Sequence, residues 1–139
     1  KVDYNYCIDL ATDALKNGVK RISLISSVGS NPNSSLLYPK TKGLVERDLL
    51  KLAFDHISIM RPGLILGNRK ERRIFEKIAI YIYSFINHFL FGNLKKYKSI
   101  SANDISKAMI YQLIKAGDGL HVLEYDQLIK SAKNFNTLS

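Results

Sequence analysis

Apolar residues near the start of the chain fall at Val2, Tyr6, Ile8, Leu10, Ala11, Ala14 and Leu15, a roughly helical period that predicts an opening helix over "VDYNYCIDLATDALKNGVK". Gly18 stands where a left-handed residue would end it. The pattern then changes. "RISLISS" is a short β-branched apolar run stopped by two serines, and the turn-rich "GSNPNSS" follows, so a buried strand and a polar loop are expected. "YPKTKGLVERDLLKLAF" returns to a helical period, with Pro39 acceptable in the first turn because the amide it lacks would have no partner there. "HISIMRPGLILGN" predicts a second strand running into Pro62 and Gly63. A long apolar-rich segment covers Ile74 to Phe91, within a helical cap expected over residues 68–100. "SANDISKAMIYQLIKAG" predicts a helix opened by Ser101 or Asn103 as N-cap, and "GLHVLEYDQLIKSAKNF" a short strand and a closing helix. Helices and strands in alternation mean an α/β fold with a parallel sheet and right-handed crossovers. No repeat, low-complexity tract or domain-length linker divides residues 1–139, so one domain is expected.

That fold class fixes where chemistry can sit. Ligands of an open parallel sheet collect beyond the carboxyl ends of its strands. Ser26 and Ser27 end the first predicted strand, Arg61, Pro62 and Gly63 end the second, and the helix carrying Tyr38 must start where its strand stopped. Residues four apart share a helix face, so Lys42 can approach the edge of Tyr38 or a ligand beside it. A phenol ordinarily ionises near pH 10, and a neighbouring cation favours the charged form. Half-ionisation at neutral pH needs a shift of about three units, roughly 4 kcal/mol, much of which one ammonium in a desolvated crevice could supply. A serine hydroxyl donating to a substrate carbonyl would polarise it and hold it for proton transfer. The spacing alone proves little: Tyr111 and Lys115 repeat it inside an amphipathic helix with no strand end before them, where a packed Tyr and a solvated Lys are expected.

Composition adds a sign but no partner. Lys and Arg number 21 against 12 Asp and Glu, and the formal charge of +9 favours anionic partners such as a nucleotide or an acidic surface. Basic and aromatic residues do not interleave as in any recognisable RNA or DNA module, so nucleic acid is not an expected partner. Cys7 stands alone and cannot form an internal disulfide. His56, His88 and His121 are too scattered for a metal-ligand spacing, and no metal is expected. The run from Ile78 to Phe91 is apolar except for Ser84, Asn87 and His88, which falls short of the about 20 apolar residues a spanning helix needs. Its basic flanks and aromatic content would suit a membrane interface, whereas a cap helix packed on the domain is the main expectation.

"LISSVGS", "LYPKTKGLVERDL" and "SIMRPGLILGNR", in that order and at these separations, resemble the short-chain dehydrogenase/reductase superfamily. More narrowly they are similar to its atypical branch, related to the HIV Tat-interactive protein oxidoreductases and their fungal mitochondrial and bacterial relatives. The resemblance implies the carboxyl-terminal half of a Rossmann-type doubly wound parallel sheet with a small helical cap. It implies that Ser27 orients the substrate, that Tyr38 is the proton donor or acceptor, and that Lys42 bonds the nicotinamide ribose and lowers the Tyr38 pKa. Ser26, Arg61, Pro62 and Gly63 would join Lys42 around an NADP or NAD cofactor. The Gly-rich turn on which such proteins seat the pyrophosphate is missing from this sequence, so the resemblance implies a portion of a longer protein, inactive by itself. Reduction of a small-molecule carbonyl, or nucleotide-sugar-type chemistry, would be the activity. A non-enzymatic dinucleotide-sensing or protein-interaction module is the other reading. The cytoplasm is the expected location, with membrane-peripheral attachment as a variant. In the family's strand order the first strand here lies inside the sheet, so its bare edge would favour oligomers or aggregation.

Overall fold

The computed structural model describes residues 2–66 and 97–137. Helix α1 spans Val2–Lys16 and ends as the pattern predicts: Gly18 takes φ +85°, its amide donates to Leu15 O at 3.0 Å, and the Val19 amide reaches Ala14 O at 3.0 Å. That pair of bonds is the Schellman closure, which serves carbonyls the helix leaves open. Strand β1 (Arg21–Ile25), helix α2 (Leu37–Leu49) and strand β2 (His56–Met60) follow. The second strand stops at Arg61–Gly63, as expected, and Leu64–Leu66 beyond it form a separate strand, β3, paired in parallel with β4 (Ser99–Ser101). Proline has no N–H to extend a ladder, so the chain leaves the first sheet there. Helix α3 (Ala102–Lys115) is capped by Ser101, whose hydroxyl accepts from the Asp104 amide at 3.0 Å; Asn103 lies inside the helix. Strand β5 (Gly119–Leu123) and helix α4 (Tyr125–Asn136) complete the described chain.

The main sheet has the order β1-β2-β5 with both pairings parallel, Arg21 opposite His56 and His56 opposite Gly119. All five residues of β2 are buried, as a central strand covered on both faces requires. On one face Ile57 and Ile59 pack with Ala11 of α1 and Leu49 of α2, and Ile22 and Leu24 of β1 join them. On the other face Met60 and Leu123 pack with Ile105 and Ala108 of α3 and with Leu128 and Ala132 of α4. Helices on both faces of a parallel sheet make the fold α/β and partly Rossmann-like, as expected. Among the described residues β1 and β5 are both sheet edges. The cap expected over 68–100 lies outside the described residues except for 97–100, where Ser99 begins β4. His88 and the whole apolar segment, Ile74 to Phe91, are outside them as well. Among the described residues no helix is long and apolar enough to cross a membrane.

Candidate active site at the carboxyl edge of the sheet

Two strand ends are held side by side beyond the regular ladder. The Ser26 amide donates to Met60 O at 2.7 Å, the Val28 amide to Pro62 O at 3.0 Å, and the Arg61 amide to Leu123 O at 2.8 Å. Ser26, Ser27, Arg61, Pro62 and Gly63 therefore gather on one edge, where ligands of parallel sheets collect. A tight turn follows at once: the Ser30 amide returns to Ser27 O at 3.2 Å, with Gly29 at φ +77° in the position that demands a left-handed residue. Asn31 and Ser34 then bend the loop by accepting from the Asn33 and Leu36 amides at 2.9 and 3.1 Å. The loop is pinned on α2, because the Asn31 amide donates to Pro39 O at 3.0 Å and Gly43 lets the backbone come close. A Cβ at Gly43 would lie 2.3 Å from Pro32 N and 2.4 Å from Asn31 C.

This route brings Tyr38, in the first turn of α2, back to Ser27. The hydroxyls of Ser26 and Ser27 are buried and neither completes a hydrogen bond of ordinary geometry. Ser27 nevertheless lies against the Tyr38 phenol closely enough to favour phenolate. Burial of the phenol is the larger influence and holds the Tyr38 pKa above its ordinary value, although the residue as a whole is half exposed. The cation of Lys42 lies over the ring face, 5.9 Å from its centroid. The lowering that a neighbouring ammonium was expected to supply is thus absent from this arrangement: the charge faces the ring, and desolvation decides the sign.

Four residues beyond Lys42, the same face of α2 carries Glu46, which is 5% exposed. Its carboxylate accepts from Ser30 Oγ at 2.7 Å and from Arg61 Nε and Nη2 at 3.1 and 2.5 Å. Burial opposes the charge most strongly, but Arg61, Ser26 and Ser30 together outweigh it and hold the carboxyl below its ordinary range. The structure commits the guanidinium of Arg61, expected at the cofactor, to this pair. The signal for Glu46 was present in the sequence: an acid between Val45 and Leu49 on the apolar side of a helix must find a buried cation. Its partner could not be chosen from spacing.

The matched pair Tyr111 and Lys115 sits on α3, with Lys115 exposed in its last turn and Tyr111 accepting from Asn134 Nδ2 at 3.5 Å. His56 and His121 stack at 4.9 Å and each presents a ring nitrogen to Gly117 O, at 2.8 and 2.9 Å. Cys7 is a free, partly buried cysteine on α1.

No family model matches the chain. It is similar to "Protein FMP52, mitochondrial" of Candida albicans, 38% identical over 143 residues that cover 98% of this chain and 61% of that protein. "Protein fmp52-1, mitochondrial" of Aspergillus terreus is 35% identical over 119 residues, 86% of this chain and 51% of that protein. "Protein FMP52, mitochondrial" of Saccharomyces cerevisiae is 45% identical over 73 residues, 52% of this chain and 32% of that protein. The chain thus spans between a third and three fifths of the length of these curated relatives. Their names overturn the cytoplasmic expectation: relatives 30% to 45% identical are named as mitochondrial proteins, and they point to the mitochondrion.

Proposed function

We propose that the chain supplies the proton-transfer side of a mitochondrial NAD(P)-dependent oxidoreductase of the short-chain dehydrogenase/reductase type, acting on a small carbonyl compound. One observation carries the reading: Ser27 at a strand end, Tyr38 against it and Lys42 over the Tyr38 ring meet at the carboxyl edge of a parallel sheet. The resemblance in "LISSVGS", "YPKTKG" and "MRPG" supports it independently. For the cofactor, two buried serine hydroxyls that complete no hydrogen bond of ordinary geometry and a nearby lysine suit the hydroxyl-rich ribose and amide of a nicotinamide end. Ser26, Lys42 and the backbone at Pro62 and Gly63 would hold that end, while Arg61 serves through Glu46. A bound nicotinamide would supply the hydride chemistry.

The remaining roles belong to this chain. Ser27 donates its O–H to the substrate carbonyl oxygen, orienting it. Tyr38 gives its phenol proton to the same oxygen as the carbonyl carbon is reduced, while Lys42, over the ring face, is left for the nicotinamide ribose. A phenol held above its ordinary pKa is protonated at neutral pH and so carries the proton that reduction needs, while the same rise makes it a weaker acid. The same observation leaves room for a dinucleotide-sensing or protein-interaction module without turnover, because in this arrangement no cation prepares the phenolate.

Hydride transfer separates the two readings. In a protein carrying this chain together with the remaining length of its relatives, NAD(P)H oxidation is followed with a panel of small carbonyls. Tyr38→Phe should leave dinucleotide affinity nearly intact and lower turnover by about 10²–10⁴-fold, the usual contribution of a general acid. Tyr111→Phe, with the same spacing away from the strand ends, should leave turnover unchanged. Equal losses from both substitutions would refute the assignment, and dinucleotide binding without oxidation would favour the sensing module.

A further inference from the structure

We propose that Glu46 is the positioning residue of this site: its buried carboxylate ties the Ser26–Ser30 turn, helix α2 and the Arg61 strand end together, and so keeps Ser27 against Tyr38. The proposal rests on reading Ser27 and Tyr38 as the reacting pair. Glu46 stands two helical turns from Tyr38, about 12 Å along α2 at about 1.5 Å per residue, so it acts through other groups. Each arm of its network ends on a different element. Ser30 closes the turn that begins at Ser27, and its hydroxyl donates to Oε1. Arg61 follows β2 directly, and its forked guanidinium meets both carboxylate oxygens, a geometry that fixes direction as well as distance. Ser26 lies close enough to favour the charged form of the same carboxylate.

Stability alone is a weak reason for such an arrangement. A buried ion pair often contributes no more than well-packed apolar side chains would, so its worth lies in the geometry it imposes. The strand ends are already joined by backbone bonds from Ser26 to Met60 and from Val28 to Pro62. What those bonds leave free is the height of the Ser27–Ser30 turn above α2; the Asn31–Pro39 backbone bond holds the far side of the turn on the helix, and the Ser30–Glu46 bond holds the turn itself. Tyr38, Lys42 and Glu46 share one face of α2 at successive intervals of four, so a turn fixed to Glu46 is also fixed relative to the phenol.

Two measurements on the full 139-residue chain test this without any turnover assay, so their failure is separable from failure of the oxidoreductase reading. In Glu46→Gln, which keeps the shape and loses the charge, amide exchange at Val28 and Ser30 should accelerate at least tenfold, while amides of β2 away from Arg61 keep their protection. The Tyr38 phenol, followed by ¹³Cζ-tyrosine NMR and assigned with Tyr38→Phe, should titrate higher by roughly half a unit or more as Ser27 drifts away. Removal of a negative charge by itself would move it lower, so the sign is diagnostic. Ser30→Ala, which spares the ion pair, should show both effects in smaller measure and serves if Glu46→Gln does not fold. Uniformly faster exchange across the sheet, or a Tyr38 titration that stays put or falls in the folded variant, overturns the proposal.

Discussion

Replacing Gly43 by alanine tests whether the loop after β1 is seated on α2 as described. The added methyl would stand 2.3 Å from Pro32 N, 2.4 Å from Asn31 C and 2.8 Å from Asn31 Cα, all backbone atoms that cannot rotate aside. Ordinary contact begins near 3.4 Å, so the loop must retreat by roughly 1 Å. In an exposed helix interior the same change would stabilise by about 0.5–1 kcal/mol, since glycine carries an entropic cost there. Against this stand overpacking, about 1–3 kcal/mol, and weakening of the Asn31–Pro39 and Ser30–Glu46 hydrogen bonds, about 1 kcal/mol each. The balance is a net loss of about 2–4 kcal/mol. Urea denaturation followed by far-ultraviolet circular dichroism reads it directly, with a lower midpoint and an unchanged slope. Equal or greater stability of Gly43→Ala would mean that the loop does not lie on the helix, and the placement of Ser27 beside Tyr38 would go with it.

Arg21→Met should cost about 2 kcal/mol, because Arg21 donates to the Leu113, Gln112 and Ala116 carbonyls at the end of α3, whereas Asp118→Asn should cost under about 0.5 kcal/mol since that ion pair is largely exposed; comparable losses in urea melts would refute the capping role. His56 is fully buried with Nδ1 donating to Gly117 O, and burial holds its pKa below 6.5, so the unfolded chain takes up the proton first and stability should fall as pH drops from about 6.5. His56→Gln should flatten that decline in urea midpoints between pH 7.5 and 5.5; the same slope in both proteins would assign it elsewhere. Among the described residues β1 is an unpaired sheet edge, and Tyr6 and Leu10 on α1 and Ile110 and Ile114 on α3 are exposed, so the 139-residue chain should self-associate in sedimentation velocity, and Leu10→Lys with Ile114→Lys should reduce it; a wild-type monomer at all concentrations would refute this.

Local chemistry in the sequence determined the elements and their ends. The helical period of the opening segment, the left-handed Gly18 and the Ser101 cap each depend on residues within one turn of one another, so the sequence shows them directly. The alternation of helix and strand likewise implied a parallel sheet, which put Ser27, Tyr38 and Lys42 at one edge. Tertiary structure decided what these groups experience. The end of β2 at Pro62 was legible, but the separate strand formed by "LIL" was not, because its partner, Ser99–Ser101, lies 35 residues later in register. Arg61 could meet an incoming ligand or Glu46 with equal chemical sense, and only the packing of α2 against the end of β2 selects Glu46. The cation of Lys42 was placed near Tyr38 by spacing, but its position over the ring face and the burial of the phenol reverse the expected pKa shift. Desolvation depends on which atoms of distant segments close over a group, and residue spacing carries no information about that.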